Sequence, residues 1–182
     1  MRNFAVELAD LVFTNQPLVY FDESSFHMWM RKTRTWMRAE RPVPLVLNKS
    51  RGENVTVYGA IGSCLPGALF FQTRTTNEKA TLAFLACLRE HSKKTLEAHK
   101  PLHLVLDNHA AHHTLQVREA FRTLNIVPHF MPPYSPQFNC IEALWGCIKR
   151  EVKGRLTLAQ GLVEQLQFQQ ILQEVLDAVT PE

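Results

Sequence analysis

Three acidic side chains of the sequence lie in segments that could present them for chemistry. Asp22 follows an apolar run in YFDES, Asp107 follows another in LVLDNHAAHH, and Glu142 lies in PPYSPQFNCIEALW. A catalytic magnesium site needs several hard oxygen ligands that converge from separate elements. Phosphodiester cleavage is the reaction that most often uses such a site, with two divalent ions held by carboxylates. The sequence therefore contains the ligands that this chemistry requires.

Each of the three acids also has a structural alternative. Asp107 or Asn108 could cap a following helix, and Asn139 with Glu142 has the spacing of a capping box. Asp22 could end a strand in an Asx turn. Taken singly, each acid leaves this alternative open, whereas the three together favour a metal site.

Composition limits the class of protein. The 182 residues are 46% apolar and 20% charged, with a net charge of +3, as expected of one soluble globular domain. No apolar run reaches the roughly 20 residues that span a bilayer, which excludes a membrane protein. The composition excludes collagen-like, disordered and secreted disulfide-scaffold classes. The four cysteines form no CxxC pair, and we expect them to be buried free thiols.

The elements that must position the acids can be predicted from apolar periodicity and from Gly, Pro and Asn punctuation. Strands are predicted at 18–26, 55–61, 68–73, 102–106 and 126–130, with a turn at 65–67 that favours a hairpin. Helices are predicted at about 77–97, at 111–124, after Asn139, and at about 158–179. This order, β-β-β-α-β-α-β-α-α, indicates an α/β fold with a mixed sheet and helices on both faces.

The segments that contain the acids resemble the catalytic signatures of a known family. YFDESSF, LVLDNHAAHH and MPPYSPQFNCIEALWGCIKR are similar to the three signatures of the DDE transposases, in the mariner-like superfamily that includes many bacterial insertion sequences. Thirty-four residues separate Asp107 from Glu142, a spacing typical of one large branch of that superfamily. The resemblance covers residues 18–153 and implies a ribonuclease H-like fold for a single catalytic domain at 1–182.

The resemblance implies that Asp22, Asp107 and Glu142 are catalytic residues that hold two Mg²⁺ or Mn²⁺ ions. The implied reaction is hydrolysis at transposon ends, followed by attack of the freed 3′-hydroxyl on target DNA. The partner is then double-stranded DNA, both the transposon ends and the target. Two alternatives stay open: a catalytically silent, transposase-derived DNA-binding protein, and a nuclease of the same fold without strand transfer.

Further residues near the acids are expected to support the site or to touch DNA. These residues are Asn108, His112, Tyr134, Ser135 and Asn139, with Pro136 also shaping the loop before Glu142. Many relatives have proline where this chain has Cys140, and we expect Asn139 to cap the helix that follows. Of His109, His112 and His113, we expect one to face the site and the others to face solvent, without a closed zinc site.

Basic residues are unevenly placed, and some could contact DNA. The insertion at about 28–52 interleaves tryptophans with bases, a mixture suited to phosphate contacts and base stacking, although a solvated hairpin is the alternative. A second group of bases follows Glu142, where it could also complement the negative end of the helix. The candidate DNA contacts are Arg31, Lys32, Arg34, Trp36, Arg38, Lys149 and Lys153.

The resemblance also bears on the wider protein. Relatives carry helix-turn-helix modules before the catalytic domain, whereas only about 17 residues precede the first predicted strand here, so we expect these modules to be absent. A separate DNA-recognition chain is then an expected partner. The helix at 158–179 is expected to cover the sheet, with a homodimer contact as the alternative. We expect no membrane partner, and a cytoplasmic, nucleoid-associated location in a bacterium or a nuclear one in a eukaryote.

Overall fold

The computed structural model describes residues 2–30, 51–97, 99–158 and 163–180, which form a five-stranded mixed sheet. Antiparallel pairs join β1 to β2 and β2 to β3, while β4 pairs parallel to β1, and β5 parallel to β4. The spatial order is therefore β3-β2-β1-β4-β5. The strands are β1 (Leu18–Phe26), β2 (Val55–Gly62), β3 (Leu69–Thr73), β4 (Leu102–Leu106) and β5 (Ile126–Phe130).

Helices cover both faces of this sheet, which confirms the predicted α/β class. The helices are α1 (Arg2–Phe13), α2 (Glu78–Ser92), α3 (Leu115–Thr123), α4 (Ile141–Leu158) and α5 (Gln165–Asp177). One apolar cluster joins α2 and α3 to one face, and a second joins α4 and α5 to the other. Among the described residues, no helix combines the length and the apolar character needed to cross a bilayer.

The close packing of α4 on the sheet depends on a glycine in β2. A Cβ atom at Gly59 would lie 2.6 Å from the ring of Trp145 in α4, so only glycine leaves room for this fully buried indole. The ring also packs edge-on against Phe26 of β1, with 6.1 Å between the ring centroids. Because Gly59 is paired with Asp22 in the sheet, this packing holds α4 directly over the middle of β1.

A helix that the sequence analysis did not predict precedes the sheet. In α1, Phe4, Leu8 and Leu11 recur at helical spacing and pack on an apolar cluster that includes Leu18 and Val105. The apolar period was therefore present in the sequence. This helix covers the face of β4 near its pairing with β1.

Two predicted helices have different bounds in the structure. The predicted helix at 111–124 is a 3₁₀ turn (Ala110–His113) followed by α3, because Thr114 caps α3 by accepting a hydrogen bond from the Val117 N–H. The predicted helix at 158–179 begins only at Gln165, and α4 extends to Leu158. In the predicted helix the apolar residues recur at helical spacing, including Leu166, but Leu166 is exposed in α5.

The prediction of buried cysteines is wrong for three of the four. Only Cys64 is buried, while Cys87, Cys140 and Cys147 are exposed free thiols. Cys87 lies in α2, between the buried Leu85 and Leu88.

We predict that Gly59→Ala destabilises the protein by about 1–3 kcal/mol, the usual cost of overpacking a filled core. The added methyl would lie 2.6 Å from a rigid, buried ring, so the helix or the strand must shift. Chemical denaturation measures the change. Gly154→Ala is the matched control, because within the described part of the chain its Cβ meets no atom within 4 Å outside the backbone of its own helix. In α4 that change is expected to be neutral or stabilising by up to about 1 kcal/mol, and equal losses in both variants would contradict the packing argument.

Candidate metal centre and active site

The parallel pairing of β1 and β4 brings two of the three acids together. Tyr20 of β1 is in register with Val105 of β4. Asp22 and Asp107 each follow two residues later, so the same register places them side by side. Asp107 lies just beyond the end of β4, as predicted. Asp22 lies within β1, which continues to Phe26 as the predicted bounds had it, and its pairing with Gly59 rules out the alternative of an Asx turn that ends the strand at Asp22.

Glu142 reaches the same place because the start of α4 is tied to β1. The Asn139 side chain donates a hydrogen bond to the Phe21 carbonyl oxygen over 3.0 Å, one residue before Asp22. The expected capping role of Asn139 is wrong, since its Oδ1 is buried and accepts no hydrogen bond from the described residues. The amide is used to attach the helix to the strand instead.

The loop between β5 and α4 forms one wall of the site. Asn108 donates its amide N–H to the Met131 carbonyl oxygen, which links the residue after Asp107 to the end of β5. Buried Ser135 donates to the Pro133 carbonyl oxygen over 3.2 Å and so stabilises the turn. Tyr134 has a φ of +54°, uncommon for a residue with a side chain, and its ring is fully exposed.

All three acids line one cleft of about 370 Å³. Asn108, Tyr134, Ser135 and Asn139 line it as well, so the sequence analysis named most of its polar wall. A larger groove of about 880 Å³ lies between β3 and the end of α5, and Asp177 is the only acid among its described lining residues. Carboxylate chemistry therefore belongs to the smaller cleft.

The charge on Asp22 is poorly accommodated without a cation. Burial raises the pKa of Asp22 to about 7, and the Glu142 carboxylate adds to this effect. Glu23 and Asp107 raise the pKa further, while a backbone N–H of Glu23 opposes the shift. The cleft thus concentrates negative charge around a half-buried acid, which favours occupation by a cation.

Asp107 has the opposite environment. The adjacent His112 imidazole lowers the pKa of Asp107, and this effect outweighs burial. Burial on its own would lower the pKa of His112, but Asp107 and Glu23 together raise it to about 9. The imidazole is fully buried, and its Nε2 lies 3.3 Å from Asp107 Oδ1 and 3.3 Å from Glu23 Oε1. His112 thus contacts Asp107 from the buried side, whereas the histidine that lines the cleft is His109. The expectation that the other histidines face solvent is wrong for the buried His112.

Glu23 is the site residue that the sequence analysis missed. Successive side chains of a strand point to opposite faces, so Glu23 points away from the face that holds Asp22. It lies on the side of Phe21, whose ring packs edge-on against His112 with 5.4 Å between the ring centroids. The available signal was a second acid directly after Asp22, with a histidine expected near Asp107.

The donor set fits a divalent cation of the magnesium type. The carboxylates of Asp22 in β1, Asp107 just after β4 and Glu142 in α4 meet in one cleft. A second group, Glu23, Asp107 and His112, places one ligand atom from each residue within 4.8 Å of the others. Hard carboxylate oxygens suit Mg²⁺ and Mn²⁺.

The other predicted residues are placed less centrally. His109 is exposed and its ring accepts a hydrogen bond from the Ala111 N–H, whereas His113 is half-buried and stacks on Phe130 instead of facing solvent. Lys149 and Lys153 are half-buried on α4. The candidate DNA contacts Arg31, Lys32, Arg34, Trp36 and Arg38, with most of the insertion at 28–52, lie outside the described residues.

Solved structures with the same architecture identify the class of fold. The Mos1 transposase paired-end complex with the left transposon end matches 97% of this chain and 53% of its own, with a TM-score of 0.69 and 17% identity. The catalytic domain of Mos1 mariner transposase matches 97% of this chain and 78% of its own, with a TM-score of 0.65 and 14% identity. The simian T-cell lymphotropic virus intasome in complex with PP2A regulatory subunit B56 gamma matches 85% of this chain over 46% of the matched chain, with a TM-score of 0.55 and 14% identity.

These likenesses define a ribonuclease H-like fold, as the sequence resemblance implied. The chain spans about half the length of the Mos1 transposase chain in the paired-end complex. The family model described as DDE superfamily endonuclease matches residues 17–161. The chain therefore belongs to the DDE superfamily of endonucleases. No curated protein sequence matches it.

We predict that, without metal, the free energy of unfolding falls as the pH rises from about 4 to about 7. The pKa of Asp22 is 3.8 in its ordinary state and about 7 in the fold, so the folded chain holds the extra proton in this window and loses it as the pH rises. Linkage gives a loss on the order of 2 kcal/mol between pH 5 and pH 7.

Denaturation in EDTA at several pH values, comparing the unaltered chain with Asp22→Asn, measures this loss. The variant should show little of the decline between pH 5 and pH 7. It should keep the decline from about pH 6.5 to pH 9 that follows from the raised pKa of His112. Parallel curves for the two proteins between pH 5 and pH 7 would show that Asp22 is not the group that titrates.

Proposed function

We propose that this chain is a transposase-type DNA endonuclease and strand transferase, in which Asp22, Asp107 and Glu142 hold two Mg²⁺ or Mn²⁺ ions. The observation that carries the proposal is the convergence of these three carboxylates, from β1, β4 and α4, on one cleft. Such ions activate the attacking hydroxyl and stabilise the leaving oxygen of a phosphodiester. Membership of the DDE endonuclease family supports the same reaction class.

The protein groups have separate tasks in this proposal. The carboxylates of Asp22 and Glu142 repel one another across the cleft. Because bound cations would compensate this repulsion, we assign both residues as metal ligands. Asn139 holds Glu142 in place through β1, and Asn108 holds the loop beside Asp107 against β5. No protein nucleophile is required, because water and then the freed 3′-hydroxyl of the DNA attack phosphorus.

A path for the DNA backbone leads away from the cleft along α4. Gly146, Lys149 and Lys153 follow Glu142 at spacings of four, seven and eleven residues, which places them on one face of the helix. Apart from the backbone of α4 itself, no atom of the described residues lies within 4 Å of where a Cβ of Gly146 would be, so a strand can approach the helix closely there. Burial lowers the pKa of His27, and the positive charges of Arg51 and Lys153 lower it further. Arg51 is therefore a second cation near the end of the path, where Lys153 lies.

The exposed ring of Tyr134 also lines the cleft and can stack on a base. Structures of Mos1 transposase include a paired-end complex with the left transposon end and a strand transfer complex, and its catalytic domain is known with Mg and with Mn. By this analogy we propose double-stranded transposon ends and target DNA as substrates. A homodimer and a separate DNA-recognition chain are further proposed partners.

We predict that the unaltered chain cleaves labelled duplex DNA only with Mg²⁺ or Mn²⁺, and that Asp107→Asn and Glu142→Gln each reduce the rate at least a hundredfold. Each change removes a charged ligand while keeping the shape of the side chain, so the fold should be preserved. Gel analysis of the DNA products measures cleavage, and joined products report strand transfer.

Glu119→Gln is the matched control, because this carboxylate is exposed on α3 and pairs only with Arg122 among the described residues. Cleavage without joined products would favour a nuclease that lacks strand transfer. DNA binding without cleavage by any form, with or without metal, would favour a catalytically silent DNA-binding protein and contradict the proposal.

We predict that replacing both Lys149 and Lys153 by alanine weakens DNA binding and lowers the slope of log affinity against log salt by about two. Each neutralised phosphate contributes about 0.9 to this slope, and the proposed path gives each lysine one phosphate. Fluorescence anisotropy in EDTA measures the binding of a duplex. The double variant of Lys93 and Lys100, two exposed lysines beyond the proposed path, should keep the slope. Equal slopes for all three proteins would rule out the α4 path.

A further inference from the structure

We propose that Glu23 and His112 are positioning residues that fix the carboxylate of Asp107 for metal binding. This inference rests on the proposed function, since it assigns a purpose to a buried group beneath the proposed metal site. It adds Glu23, which lies on the opposite face of β1 from the proposed ligand Asp22.

A series of contacts connects the buried Glu23, through His112, to Asp107 at the cleft. Glu23 Oε1 lies 3.3 Å from His112 Nε2, and the same nitrogen lies 3.3 Å from Asp107 Oδ1. Oδ1 also accepts a hydrogen bond from the His109 N–H over 3.0 Å. Two protein groups thus restrain one oxygen of Asp107, and a planar carboxylate restrained in this way can offer its second oxygen to the cleft.

Glu23 and His112 are buried beneath the cleft, so they contact it through Asp107. The His112 side chain has no exposed surface, and that of Glu23 is 11% exposed, whereas that of Asp107 is 46% exposed and lines the cleft. Glu23 Oε1 and both ring nitrogens of His112 are buried and form no hydrogen bond with the described residues. Buried polar atoms are costly without partners, so the ring and the two carboxylates depend on one another.

The ring itself is held by a rigid support. Phe21 packs edge-on against His112 and stacks on Phe84 of α2, with 4.9 Å between those two ring centroids. Because β1 carries both Phe21 and Glu23, the strand positions the ring and its carboxylate contact together. Partners of this kind, one step removed from the ligand, typically contribute 10- to 100-fold to metal affinity or activity.

The test compares Mn²⁺ binding by the whole chain in the absence of DNA, followed by the electron paramagnetic resonance of free Mn²⁺. Glu23→Ala and His112→Leu should each weaken binding at least roughly tenfold. Glu23→Gln and His112→Gln should lose less, because an amide can keep the contact to the ring or to Asp107. Glu119→Ala, which removes an exposed carboxylate on α3, should bind like the unaltered chain.

A second readout separates positioning from general destabilisation. In the cleavage assay, the metal concentration for half-maximal rate should rise in Glu23→Ala by the same factor as the loss of binding. Saturating Mn²⁺ should restore most of the rate, which it would not do for a loosened fold. Circular dichroism and thermal unfolding establish that each variant is folded; if an alanine or leucine variant is not, its glutamine counterpart carries the comparison, with a weakening of about threefold expected.

Unchanged Mn²⁺ affinity in both Glu23 variants and both His112 variants would overturn the inference. So would a saturable Zn²⁺ or Mn²⁺ site that disappears in Glu23→Ala while the affinity of the remaining site stays the same, because Glu23 and His112 would then be ligands of their own ion. Failure of the unaltered chain to cleave DNA while it binds Mn²⁺ contradicts the proposed function alone. Failure to bind Mn²⁺ at all contradicts both.

Discussion

The packing of Trp145 against Gly59 holds α4 on the centre of the sheet, and the geometry of the acidic cleft depends on it. Glu142 lies three residues before Trp145 in the same helix, so any movement of the indole moves the carboxylate. Gly59 is the sheet partner of Asp22, which means that the closest approach of α4 occurs where its acid must meet the strand. Core packing and cleft geometry are therefore one constraint in this fold.

The two neighbouring aspartates of the cleft have opposite electrostatic environments. The charges that act on Asp22 come from the carboxylates of Glu142, Glu23 and Asp107, and these raise its pKa beyond the effect of burial. The negative charge of Asp107 is compensated by the buried His112, which lowers the pKa of Asp107. A cation that enters the cleft relieves the repulsion at Asp22, which favours its binding. Asp107, in contrast, is already ionised and is held by His112. The fold thus stores electrostatic strain on Asp22 and preorganises Asp107, the two aspartates proposed as metal ligands.

Much of the sheet could be predicted because its strands are bounded by residues that stop them. The predicted bounds of β1, β4 and β5 match the structure, since Pro17, Pro101 and Asn125 mark where these strands begin. The break at Thr114 was missed because a threonine within an apolar period also fits a continuous helix. The cleft-facing acids and His112 could be predicted from the family resemblance. The contact of Glu23 with His112 could not, because the face that each strand residue occupies depends on the register between strands.

Asp22 and Glu23 show why that register matters. Adjacent residues of a strand point to opposite faces, so one acid faces α4 and the next faces His112. A slip of one residue would exchange them, placing Glu23 in the cleft and Asp22 in the buried group. Pairing of β1 with β2 on one side and with β4 on the other prevents such a slip. The central position of β1 therefore allows a single pair of residues to serve the cleft and its support at once.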